Sequence, residues 1–237
     1  MSPPLAALTS GEVPVGATLV VPVGSTEQHG PHLPLDTDLT VACTSAARLC
    51  DGRDELVLGP GLPYGASGEH EGAAGTVSIG TAALNAVLVE LGRSATRWAA
   101  RVLFVNGHGG NLDALRAAAP LLRDEGRDVA WWTWSVPGAD AHAGATETSL
   151  LLALDPAQVR HDRIEVGDTR ALAALLPRLR THGVLGVSAN GVLGDPTQAD
   201  ADAGRRAWAR SSADLATAVA AWAPGRDGQL APAGKPS

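Results

Sequence analysis

Lysine is nearly absent from this 237-residue chain: Lys235 is the only one, and the formal net charge is -7. With no Lys/Arg cluster to offset that charge, the composition argues against nucleic acid or an anionic membrane as the main partner and favours small or peptidic ligands. Cysteine is scarce too. Cys43 and Cys50 stand seven residues apart in an expected helix, which separates their Cα atoms by about 10 Å, beyond disulfide reach. No CxxC pair exists to build a thiolate zinc site or a redox dithiol. Long apolar runs are also lacking, and the N-terminal MSPPLAALTSGEVPVG has no basic segment followed by an apolar core, so the expected location is the cytoplasm. What is present, 45% hydrophobic and 18% charged residues, suits one compact domain over residues 1–223. The Pro/Gly-rich tail 224–237 is expected to be loosely ordered.

Strand and helix signals alternate, the pattern of a layered α/β fold. Strands are expected at 17–23, 55–59, 75–79, 101–105 and 128–134, and helices at 38–50, 81–99, 111–125, 146–154, 170–180 and 199–222. Leu84, Leu88, Leu91 and Trp98 recur at helical spacing, a core stripe. Of Trp131, Trp132 and Trp134, the middle one faces opposite to its neighbours; one side is expected in the core and the other against a pocket or a subunit.

The chemistry concentrates after the apolar run ATLVVPV. There GSTEQHGPHLPLDTD brings Glu27, His29, His32, Asp36 and Asp38 into one loop at the carboxyl end of a strand, where α/β sheets bind ligands. Glu27 and His29, two apart in extended backbone, point the same way, and Pro31 and Pro34 stiffen the turn that returns Asp38 towards them. Singly, each could be a solvated residue, and Asp36 or Asp38 could cap the following helix. Jointly they look like a metal site, because further donors follow.

In RVLFVNGHGGNLDAL a strand ends at Asn106, and glycines turn the chain so that His108 arrives at the same sheet edge. This loop lacks the Walker lysine and GxGxxG spacing of a nucleotide cradle. In GADAHAGATETS, His142 and Glu147 flank a turn; Glu147 alone would be a helix-start carboxylate favoured by the dipole. PYGASGEHEG offers Glu69, His70 and Glu71 on a glycine-rich loop, with the solvated-turn reading equally weighted. Glu69, Ser67 and Trp134 are candidate substrate contacts. Five of the seven histidines fall in these segments. Imidazole and carboxylate without thiolate suit Zn, Mn or Fe(II), and the number of carboxylates suggests a bridged pair of ions with hydrolytic capacity.

The motifs GSTEQHGPHLPLDTD, YGASGEH, GTVSIGT, VNGHGGN and DAHAGATETS, in this order, resemble those of the creatininase family of metal-dependent amidohydrolases over nearly the whole chain. The resemblance implies a three-layer α/β/α sandwich with a mostly parallel sheet, a homo-oligomer, and two divalent ions per subunit. It places Glu27, His29, Asp38 and His108 among the metal ligands, with Asp38 bridging, and His142 at the proton-handling position, with His70 as its alternative. One departure stands out: creatinine hydrolases carry a metal-binding Glu two residues after the histidine matched by His108, and this chain has Gly110. Glu147 is assigned the vacant role. Within the family, IGTAALNAVLVELGRSA, LLRDEGRDV and SANGVLGDPTQADADAGRR are most similar to the peptidase branch of the mycofactocin system. That implies removal of a modified C-terminal Val-Tyr fragment from a ribosomally made precursor peptide. The competing readings are hydrolysis of creatinine or a small cyclic or formyl amide, and a non-enzymatic metal-dependent scaffold.

Overall fold

A computed structural model describes residues 3–136 and 138–231. Among them four strands, β1 (Thr18–Val23), β2 (Leu56–Leu58), β3 (Arg101–Asn106) and β4 (Val129–Thr133), form one parallel sheet in the order β2-β1-β3-β4. β1 and β3 run in register from Thr18 opposite Arg101 to Val23 opposite Asn106. Both faces of β1 are buried, which is why its sequence is a continuous apolar run rather than an alternation. Pro22 is tolerated in this central strand because its missing N–H falls on the β2 side, and the β1–β2 ladder ends at Val20 opposite Leu58. Its carbonyl instead accepts from Leu62 N at 2.9 Å.

The period of two sorts the side chains into two cores. Leu19, Val21, Val23, Phe104 and Trp131 pack against α2 (Gly80–Ala95) and α3 (Leu112–Asp124) through Leu84, Leu88, Leu115 and Leu122. Val20, Leu103, Val105 and Trp132 face α1 (Thr37–Cys50) and α6 (Ala201–Ala221) through Ala46, Leu49, Leu215 and Ala218. The result is the expected α/β/α sandwich. α4 (Ala145–Leu154) lies against α6 and packs Leu150 and Leu151 with Leu33, Val41 and Val192, while α5 (Leu172–His182) joins Leu175 to Val184 and Leu193. α6 starts where Asp200 accepts from the main-chain N–H of Asp202 and Ala203, at 3.3 and 2.8 Å. Both cysteines are free thiols.

Several expectations are corrected. Residues 75–79 form no strand: Val77 N donates to Thr26 O and Ile79 N to Gly65 O, so the segment ties two loops together instead of entering the sheet. α2 stops at Ala95, which leaves Trp98 off the helical stripe and 39% exposed. Trp131 and Trp132 face opposite ways, but Trp134, two residues beyond Trp132, packs on the same side as Trp132 rather than opposite it, and both sides are core. The segment from Pro224 is packed over its described part. Gly228 O accepts from Trp131 N, Leu230 N donates to Trp131 O, and Leu230 is buried; residues 232–237 lie outside the described ones.

Candidate metal centre and active site

The parallel sheet sends the loops after β1 and β3 to one edge, and Asn111 fastens them there. Its Oδ1 accepts from Ala66 N at 2.9 Å, and its Nδ2 donates to Gly24 O at 3.0 Å and Asn106 Oδ1 at 3.1 Å. Behind this knot, Glu27, His29, Asp38, His70, His108 and His142 are all buried. Their donor atoms fall into three groups whose members lie within 4.8 Å of one another: Glu27, Asp38 and His108; His29, Asp38 and Glu147; and Glu27, His29 and His142.

Asp38 belongs to the first two groups. Its Oδ1 lies 3.3 Å from His29 Nε2, its Oδ2 lies 3.0 Å from His108 Nδ1, and Ser25 Oγ donates to Oδ2 at 2.6 Å. Glu147 enters from the first turn of α4, with Oε2 3.9 Å from His29 Nε2 while accepting from Ala143 N at 2.6 Å. The cap-like bond and the site position therefore coexist. Ala143 holds a left-handed φ of 52° to make that turn between His142 and Glu147.

The chemistry of the set fits divalent ions. Glu27 Oε1 and Oε2 are buried without an aligned hydrogen-bond donor among the described residues, although His70 Nε2 and His108 Nε2 lie 3.2 and 3.1 Å away. A buried carboxylate with both oxygens unsatisfied is costly unless a cation completes it. Burial pushes Glu27 up to about 7, against the pull of His108. Burial alone would lower His29 and His108, but the carboxylates around them win and carry each up to about 10: Asp38, Glu147 and Glu27 for His29, and Glu27, Asp38 and Glu69 for His108. Burial opposes Asp38 as well, yet His29 and His108 hold it well below the usual carboxylate range. Burial raises Glu147 against the pull of His29. The cluster thus demands positive charge, and protons on two imidazoles supply it where ions do not.

His70 and His142 behave differently. Burial, with His108 and His29 nearby, takes His70 down to about 3. Burial beside His29 and His70 takes His142 well below the ordinary histidine value. Their ring centroids lie 4.3 Å apart with the planes tilted by 51°, and the ring of His142 also lies 4.4 Å from that of His29. Burial thus holds both as neutral imidazoles, each with one ring nitrogen free of hydrogen.

The remaining sequence candidates separate. His32 is buried but belongs to none of the donor groups; its Nε2 meets Thr148 Oγ1 at 2.8 Å, pinning α4. Asp36 is exposed at the start of α1 and makes no side-chain cap bond. Glu71 points to solvent, whereas Glu69 reaches inward, with Oε1 3.8 Å from His108 Nε2. Ser67 is buried close enough to Glu27 to lower its pKa, with no well-aligned partner for its hydroxyl. Trp134 is half-buried and packs against the clusters of Trp132 and Leu150. Gly110 has no space for a side chain: a Cβ there would stand 2.2 Å from Ala66 O, 2.4 Å from His108 Nε2 and 2.9 Å from Glu69 Oε1. Ser25, Gln28 and Asn111 are site residues that sequence reasoning passed over. Ser25 and Gln28 sit inside the GSTEQHG stretch beside the candidate ligands, and that position is their only signal in the sequence.

A buried carboxylate–imidazole centre at the carboxyl edge of a parallel α/β/α sandwich is the class this fold and site define. The chain belongs to the creatininase family: the family profile described as Creatinine amidohydrolase matches residues 8–219. It is 54% identical over 217 residues to the mycofactocin precursor peptide peptidase of Mycolicibacterium smegmatis, covering 90% of this chain and 88% of that one. The protein of the same name from Mycobacterium tuberculosis is 52% identical over 237 residues, covering 95% and 94%. Among solved structures, one named Creatininase Mn superposes with a TM-score of 0.75 at 24% identity, covering 93% of this chain and 98% of that chain.

Proposed function

We propose that this chain is a metal-dependent peptidase that removes the modified C-terminal Val-Tyr fragment from the mycofactocin precursor peptide. The hydrolytic part rests on the sharing of Asp38 between two donor groups beside two neutral histidines. The substrate rests on the similarity to the peptidases of that name, which runs through almost the full chain. In this reading Glu27, Asp38 and His108 hold one divalent ion, and His29, Asp38 and Glu147 hold the other. The all-oxygen-and-imidazole set suits Mn, Zn or Fe(II). Bound there, the ions supply a nucleophile at neutral pH and polarise the amide carbonyl. His142 then takes the proton of the attacking water and delivers it to the departing nitrogen, with His70 beside it. Glu69, beside His108, and Ser67, beside Glu27, are the substrate contacts in this reading. The same reading takes the chain as one domain of a cytoplasmic homo-oligomer that uses neither nucleic acid nor membrane; among the described residues no helix is long and apolar enough to cross a bilayer.

Hydrolysis of creatinine or a formyl amide uses the same equipment, but the crowding at Gly110 leaves no space for the Glu that creatinine hydrolases carry there. Incubating the metal-loaded protein with the modified precursor peptide should release the small fragment, read by mass spectrometry. An intact peptide beside turned-over creatinine would reverse the choice.

A further inference from the structure

Gln28 lies between His70 and His142, and its orientation is unambiguous. Gly30 N, which can only donate, is 2.9 Å from its Oε1, and Gly191 O, which can only accept, is 3.1 Å from its Nε2. The amide nitrogen therefore faces the histidines, 2.9 Å from His70 Nδ1 and 3.1 Å from His142 Nε2. An amide nitrogen only donates, so His70 Nδ1 accepts and the His70 hydrogen sits on Nε2, which lies 3.2 Å from Glu27 Oε1. The two amide hydrogens go to His70 Nδ1 and Gly191 O, so His142 Nε2 receives none and instead donates to the main-chain carbonyl of Gln28, 2.8 Å away, which leaves its Nδ1 bare, 3.8 Å from the same Glu27 Oε1.

We propose that Gln28 is a positioning residue: its side-chain amide and its main-chain carbonyl together make His70 present an N–H, and His142 a bare nitrogen, to one point at Glu27. Amide hydrolysis needs this pair, an acceptor for the water proton and a donor at the oxygen or nitrogen of the substrate. Gly191 supports the arrangement. It holds a left-handed φ of 77°, and a Cβ there would stand 2.0 Å from Gln28 Oε1, so only glycine lets the carboxamide lie flat against it. The effect on turnover rests on the hydrolase reading above; the placement of the hydrogens does not.

Nitrogen-15 NMR of imidazole-labelled, zinc-loaded protein reads that placement directly. In the wild type both His70 and His142 are expected to carry their hydrogen on Nε2. In Gln28→Glu the acceptor beside His70 Nδ1 is expected to move the His70 hydrogen to Nδ1, while His142, held by the main chain, keeps its own. An unchanged His70 in that variant, or a wild-type His142 protonated on Nδ1, overturns the assignment. Gly191→Ala, which displaces the amide without adding charge, should lower kcat roughly 10–100-fold with zinc content and KM retained, the scale of losing an outer-shell partner. Unaltered kcat in a Gly191→Ala protein whose His70 signal has shifted also overturns it. A wild-type protein with the stated hydrogens but no action on the peptide sinks the peptidase reading alone.

Discussion

Ser25 Oγ donates a 2.6 Å hydrogen bond to Asp38 Oδ2, and both residues are buried. That bond orients the one carboxylate shared by the two principal donor groups. Ser25→Ala leaves the oxygen unsatisfied on one side, and hydrogen bonds to charged groups contribute roughly 1.5–3 kcal/mol. Metal affinity should fall about 10–100-fold, as for other outer-shell partners. Zinc titration against a competing chelator checks this, and wild-type affinity in Ser25→Ala would show that the bond orients nothing.

Removing the shared carboxylate should be worse than removing an unshared imidazole. Asp38→Ala is expected to lose both ions, and His29→Ala mainly the one held with Glu147. Elemental analysis of the purified variants decides, and equal, full occupancy in both contradicts the bridging role.

Glu147 has two partners with different demands. Glu147→Gln keeps an oxygen to accept from Ala143 N, so stability should change by about 1 kcal/mol or less, but it removes the charge near His29. The expected variant is folded, short of metal and inactive. A metal-replete, active Glu147→Gln protein would return the residue to a purely helix-starting role.

His142 completes neither of the two groups that share Asp38, so His142→Ala should keep its metals and lower turnover by roughly 10²–10⁴-fold. Retained turnover, or lost metal, moves the proton-transfer role to His70.

Protons and ions compete for the centre. His29 and His108, each held up to about 10 by the carboxylates around them, are protonated at pH 7.5 in the metal-free protein. Zinc must displace those hydrogens, so binding should release about two protons per chain and weaken as the pH falls. Calorimetry in buffers of different ionisation enthalpy measures the number, and a heat independent of buffer rules the displacement out.

The layered fold was legible because buried parallel strands leave near-continuous apolar runs and the helices between them keep their own period. Thr76–Ile79 misled for a physical reason. Val77 and Ile79 satisfy their N–H groups on neighbouring loops, and Thr76 in its own turn, rather than in the ladder, and nothing in a local window separates those cases. In the site, groups that carry charge announced themselves; Glu27, His29, Asp38 and His108 were readable as chemistry. Gln28, Ser25 and Asn111 were not, because an amide or hydroxyl gains its meaning from partners as distant in sequence as Gly191 and Gly24. The crowding that makes Gly110 obligatory was equally invisible, since Ala66 O and Glu69 reach it from another loop.

Asp38 lies in the first turn of α1 and Glu147 in the first turn of α4. An ion held between them would fasten α1, which packs on the sheet, to α4, two helices separated in sequence by β2, α2, β3, α3 and β4. Filling the centre would therefore act as a latch between the two helices. A chelated chain should fray along that seam first, with new protease cuts between α4 and α6 while β1 and β3 stay protected, and resupplied zinc should close it again.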